Sequence, residues 1–249
     1  MNDPRPQITK LHRKLNALID KAIWEYKMFS DNDRVLIAVS GGADSMALLK
    51  LLAPRISIYG ENIKLFGVYV DAGFGENVDN RCNIIQDYFA DAGIEGKVLR
   101  TEIGPYAHSD ANRENPCFLC SRMRRKMIFE SAEEYGCNKI VFGHHRDDII
   151  ETLFLNMIFG REISTMAPNL AVFQGKYHIL RPLVFVEEFL LKKFATEQSI
   201  SSFDQECPTD GHSKRQYIKE MLDKLDEDFK GARVNIFNSM KRVKTEYLL

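Results

Sequence analysis

The apolar run Val35-Leu36-Ile37-Ala38-Val39 ends directly in Ser40-Gly41-Gly42-Ala43-Asp44-Ser45, and a helical stretch follows from Met46 to Leu52. This junction constrains the fold more than any other feature. A buried strand that breaks into a glycine-rich turn and then a helix presents a row of backbone N–H groups at the helix N-terminus, where partial positive charge favours a phosphate. Gly41 and Gly42 allow close backbone approach, and the hydroxyls of Ser40 and Ser45 can donate to the same anion. Asp44 would repel phosphate unless a divalent cation sits between them, so Mg²⁺ is expected with the nucleotide.

The turn lacks the lysine and spacing of a Walker A loop. It resembles instead the PP-loop of ATP pyrophosphatases, which cleave ATP between the α- and β-phosphates. Around it, strands at about 64–70, 97–101 and 139–142 alternate with helices at about 77–92, 118–135 and from 146 to about 159. Such alternation predicts a parallel, doubly wound α/β sheet. Ligands of these sheets bind beyond the carboxyl ends of the strands, where Ser40, Asp71 and Gly143 would converge. An amphipathic helix over about 8–29 precedes the sheet, and 104–116 reads as an irregular loop. A hairpin is expected around Gln174-Gly175. Helices at about 187–197 and beyond Lys214, the last two split near Gly231, close the chain. The expected organisation is an N-terminal helix (1–30), an ATP-binding domain (31–185) and a helical C-terminal segment (186–249).

At 249 residues and a net charge of −1, the chain is unsuited to coating nucleic acid, yet it can carry a local basic face. No segment reaches the ~18–20 apolar residues that cross a bilayer, so no membrane association and a cytoplasmic location are expected. The five cysteines are too few and too uneven for a disulfide framework. Cys117-Phe118-Leu119-Cys120 opens a helix, and Arg122, Arg124, Arg125 and Lys126 follow it. Cations and a helix N-terminus favour thiolates there, and the same cations could contact phosphates. Cys207 is the third candidate. Three cysteines leave zinc one ligand short, which His108 or His212 could supply, or they hold three irons of a [4Fe–4S] cluster. Cys82 and Cys137 read as core residues.

Pro116-Cys117-x-x-Cys120-Ser121-Arg122-x-Arg124-Arg125, Gly143-His144-His145-Arg146-Asp147-Asp148, Arg181-Pro182-Leu183 and Cys207 together resemble the tRNA 2-thiocytidine synthetase family. The resemblance runs from about residue 10 to about residue 245. It implies the PP-loop (adenine nucleotide alpha-hydrolase-like) fold, with ATP held by Ser40, Gly41, Gly42, Asp44, Ser45, Asp71, Gly143 and His144. Asp44, Asp147 and Asp148 would act in catalysis with Mg²⁺. Cys117, Cys120 and Cys207 would ligate a [4Fe–4S] cluster, and Arg122, Arg124, Arg125 and Lys126 would contact tRNA. It further implies adenylation of a nucleobase C2 oxygen, sulfur from a cysteine desulfurase, and a homodimer. Two alternatives remain at this level: a PP-loop ligase using an amine nucleophile, and a non-catalytic nucleotide-binding protein with structural zinc.

Overall fold

The computed structural model describes residues 8–203, 206–209 and 213–247. Its centre is β1 (Arg34–Val39), buried along nearly its whole length because its side chains feed two cores. Val35, Ile37 and Val39 enter one core, Leu36 and Ala38 the other. That two-residue alternation with both faces covered is what a parallel sheet requires. β1 pairs in parallel with β2 (Lys64–Asp71) on one side and β4 (Lys139–Phe142) on the other. β3 (Glu95–Arg100) extends the sheet beyond β2, while β6 (Tyr177–Leu180) lies parallel to β4. β5 (Asn169–Val172) returns antiparallel on β6 through a turn at Phe173, Gln174 and Gly175. Among the described residues this gives six strands in the order β3-β2-β1-β4-β6-β5.

Helices α1 (Lys10–Glu25), α2 (Ala43–Leu52), α3 (Val78–Asp91) and α5 (Pro116–Glu134) occupy the positions the periodicity predicts. α1 stops short of the expected Phe29 because the chain turns at Lys27, whose φ is 46°. The segment read as an irregular loop contains α4 (Ile103–Ala107). Its buried Ile103, Gly104 and Ala107, and the 2.6 Å bond from Gly104 N–H to the Ala72 carbonyl, fix it against the end of β2. α6 (Arg146–Leu155) runs on into a π-turn (Asn156–Gly160). The last helices are α7 (Glu188–Glu197), α8 (Lys214–Asp228) and α9 (Ala232–Ser239). Leu15 and Ile19 of α1, Phe194 of α7, Ile218 and Leu222 of α8 and Phe237 of α9 share the core of Val35 and Ile37. The terminal helices therefore complete the hydrophobic interior of the sheet. No described helix is long and apolar enough to cross a membrane.

Candidate active site

At the end of β1 the chain folds into a self-bonded loop. The Ser45 hydroxyl accepts from Ser40 N–H at 3.0 Å and lies 3.0 Å from both the Ser40 hydroxyl and the Gly42 carbonyl. Gly42 caps α2 without a side chain, so the first N–H groups of that helix are left for a ligand. Gly41 has φ +86°, and a Cβ there would meet the Phe203 ring at 2.4 Å. Phe203 N–H also donates to the Gly41 carbonyl at 3.2 Å, so the segment that leads to Cys207 is tied to the loop. Gly143 meets the loop from β4: a Cβ on it would lie 3.0 Å from Ser45 Cα.

Asp44 has a buried Oδ1 with no hydrogen-bond partner, an orphaned anionic oxygen in the first turn of α2. That oxygen fits a divalent cation carried in with a nucleotide. Its Oδ2 lies 3.6 Å from His145 Nε2. His145 caps α6 in a reciprocal pair, donating its N–H to Asp148 Oδ2 at 3.0 Å and accepting Asp148 N–H on Nδ1 at 3.4 Å. Burial disfavours charge on His145, but the bond to Asp44 and the carboxylates of Asp148, Asp44 and Asp147 lift its pKa above the ordinary value.

His144 behaves in the opposite way. Burial above all, then Arg181, Arg215 and His145, holds its pKa down at about 4 against the pull of Asp148. Its Nδ1 accepts from Arg181 Nε at 3.3 Å, a bond only the neutral ring can make. Arg181 in turn donates to the Ala167 carbonyl, and burial lowers its own pKa to about 10.

These groups surround a cavity of about 500 Å³ lined by Ser40, Ser121, Arg124, Arg125, Phe142, His144, Met166, Arg181 and Arg215 among others. Four arginines at one cavity make it a receptacle for anions. Arg124 Nε is buried without a partner, a donor facing nothing of the protein's own. Arg215 reaches in from α8 and is held by Glu151 at 2.9 Å and Thr152 at 3.1 Å. Of the four cations following the C-x-x-C pair, Arg124 and Arg125 thus face this cavity. Arg122 pairs with Glu114 at 3.0 Å and Lys126 with Glu130 at 3.7 Å, both on the exposed side.

Two expected site carboxylates are turned away from it. Asp71 is fully buried; it binds Arg81 at 3.0 Å, the Tyr69 hydroxyl at 2.8 Å and Gly73 N–H at 2.8 Å. Both of its oxygens are thereby engaged in closing the end of β2. Asp147 accepts from Glu188 N–H at 2.9 Å and pairs with Arg233 at 3.4 Å, so it fastens α6 to α7 and α9. Asp148 accepts the His145 N–H and lies 3.4 Å from Arg215, which lines the cavity. Arg146 pairs with Glu187 at 3.2 Å.

Cys117 lies in the first turn of α5, whose Asn115 cap leaves the thiol outside. Its Sγ is 3.2 Å from the Thr209 hydroxyl, and Cys207 Sγ is 3.3 Å from the same oxygen. Burial pushes the Cys120 thiol pKa up, Arg124 pulls it back, and Cys207 and Cys117 are close enough to raise it further. The three cysteines therefore gather at one place, with Thr209 between two of them. His108 Nε2 approaches the Thr209 hydroxyl at 3.5 Å. Among the described residues no group of three such side chains closes around a single metal ion. Three thiols match three irons of a [4Fe–4S] cluster and leave a tetrahedral zinc one ligand short. His212 lies outside the described residues. Cys82 and Cys137 are buried in the two cores.

Arg215, Phe203 and Thr209 escaped the sequence reading, and Arg181 entered it only within the Arg181-Pro182-Leu183 motif, with no role at the site. Nothing in the local spacing of the first three marks them; only the return of the chain after β6 brings them near the loop.

A family model described as a PP-loop domain matches residues 7–225. The tRNA-cytidine(32) 2-sulfurtransferase of Nitrosospira multiformis is 34% identical over 249 residues, covering 96% of this chain and 80% of that protein. The enzyme of the same name from Alkalilimnicola ehrlichii is 34% identical over 96% of this chain and 76% of its own length. Among solved structures, U34-tRNA thiolase NcsA from Methanococcus maripaludis with its [4Fe-4S] cluster superposes with a TM-score of 0.77 at 20% identity. That match covers 93% of this chain and 79% of the thiolase.

Proposed function

This chain belongs to the tRNA-cytidine(32) 2-sulfurtransferase family of PP-loop proteins, and we propose on that premise that it is an ATP-dependent enzyme that thiolates a cytidine of tRNA at C2. The observation that carries the reading is the gathering of Cys117, Cys120 and Cys207 beside a phosphate-binding turn, with Phe203 linking the two. ATP binds with its pyrophosphate on the N–H groups and hydroxyls of Ser40, Gly41, Gly42 and Ser45. Mg²⁺ accompanies it at Asp44 Oδ1, the orphaned oxygen.

The C2 oxygen of the base attacks the α-phosphorus; a P–O bond forms and pyrophosphate leaves. His145 stands beside the phosphate turn with Nε2 3.6 Å from Asp44 Oδ2, and Arg124, Arg125, Arg181 and Arg215 hold the anionic reactants. Asp148 keeps His145 and Arg215 oriented. The carbonyl oxygen, a poor leaving group, departs as part of AMP when sulfur attacks C2. Cys117, Cys120 and Cys207 would hold a [4Fe–4S] cluster, which when bound would supply sulfur at the sulfide level for this displacement. Arg122 and Lys126 meet tRNA phosphates on the exposed side of α5. A cysteine desulfurase supplies the sulfur, and the enzyme works in the cytoplasm as a homodimer.

Iron, sulfide and zinc content of protein purified without oxygen tests the reading. About four irons per chain are expected, lost in Cys207→Ala while the melting temperature holds. One zinc and no iron after reconstitution would overturn it.

A further inference from the structure

The elements that build the arginine-lined cavity and its mouth carry or adjoin two exposed aromatic rings, each beside a cation. Phe118 is 54% exposed, and the Arg122 guanidinium lies 5.6 Å from its ring centroid. Phe159 is 44% exposed, with Lys214 Nζ 4.5 Å from its centroid. The two rings belong to different elements, Phe118 to α5 and Phe159 to the turn after α6. Phe118, Ser121 and Arg125 are spaced three and then four residues apart on α5, so they share the helix face that lines the cavity. Lys214 immediately precedes Arg215, whose guanidinium lines the cavity and binds Glu151 and Thr152 of α6. Phe159 sits in the π-turn that ends α6, an irregularity that recurs at functional sites. Met157 and Ile163 beside it are also exposed.

Large exposed rings have a use when a flat apolar partner covers them, and a cation at the ring adds a counter-charge for that partner. Unpaired RNA has this composition: splayed bases stack on aromatic side chains while the backbone meets lysine and arginine. We propose that this mouth receives an unpaired stretch of tRNA. Phe118 and Phe159 stack on the nucleosides flanking the one that enters the cavity, and Arg122, Arg125 and Lys214 take their phosphates. Arg122 exchanges its pairing with Glu114, an exposed bond of little net strength, for a phosphate. The proposal rests on the tRNA reading above and adds to it the surface that selects a single-stranded region.

The test is fluorescence anisotropy with an unmodified tRNA transcript carrying cytidine at position 32, across a salt series. Phe118→Ala and Phe159→Ala should each weaken binding about tenfold and the double variant about a hundredfold, the scale of lost base stacking. Phe118→Tyr and Phe159→Tyr should bind as the wild type does, because the ring is kept. Arg122→Gln and Lys214→Gln should each lower the salt slope by about one. Melting temperature and ATP affinity of these surface variants should not move. Wild-type strength in the double alanine variant would overturn the proposal. So would sedimentation showing a wild-type dimer that Phe159→Ala dissociates while tRNA binding is untouched. A wild-type protein that binds no tRNA at any salt would refute the tRNA reading itself, a result distinct from the other two.

Discussion

His144 is a neutral histidine in a site full of arginine, and that makes the acid stability of the protein calculable. In the unfolded chain its pKa is 6.5; in the fold it is about 4. Between these values the unfolded state binds the proton and the native state resists it, so stability falls as pH drops through the window. From about pH 7.5 to about pH 5 the loss from this one residue is about 2 kcal/mol. His145 works in the opposite sense: its raised pKa gives stability that is full below 6.5 and lost as pH rises through the folded value. The two neighbours partly mask one another in the wild type. His144→Asn keeps an acceptor near Nδ1 for Arg181 and removes the titration. Urea unfolding at the two pH values should show the variant losing about 2 kcal/mol less than the wild type on acidification. Equal losses in the two proteins would refute the argument that burial and Arg181 keep His144 neutral.

Arg81→Met strands the fully buried Asp71 carboxylate without its ion partner and should cost about 3–5 kcal/mol, read as a lowered urea midpoint. Gly143→Ala pushes a methyl group to 3.0 Å from Ser45 Cα, backbone that cannot step aside without moving the loop. It should cost about 1–3 kcal/mol and raise the KM for ATP more than it lowers the melting temperature of the nucleotide-free protein would suggest. Cys82→Ala should keep its full iron content with a small loss of stability, since this thiol lies in the core beside α3. Iron lost there as completely as in Cys207→Ala would reassign the cluster ligands.

The Ser40 turn was legible because everything that makes it a phosphate site is contiguous: strand, glycines, hydroxyls and helix start within a dozen residues. The parallel sheet was legible for the same reason, through alternating apolar runs. The C-x-x-C pair gave itself away by spacing, and Cys207 by the company of the other motifs. Long-range partners were not legible. Asp71 and Asp147 are carboxylates at strand or helix ends, as a nucleotide site would have them. Their assignments are decided by Arg81, by Glu188 N–H and by Arg233, which only tertiary structure brings near. Arg215 looks like an ordinary surface cation in sequence and becomes a cavity wall once α8 packs. The helix at Ile103–Ala107 was hidden by its glycine and proline, because its stability comes from contacts with the end of β2.

In the proposed reaction, ATP cleavage and sulfur transfer occur on one tRNA base. The most direct measurement incubates iron-loaded protein with ATP, Mg²⁺, sulfide and unmodified tRNA in the absence of oxygen. Nucleosides are then analysed by mass spectrometry and AMP is quantified from the same reaction. 2-Thiocytidine and AMP are expected in equal amounts, both abolished in Cys207→Ala. AMP released with no sulfur in the RNA, from protein with its full complement of iron, would contradict it.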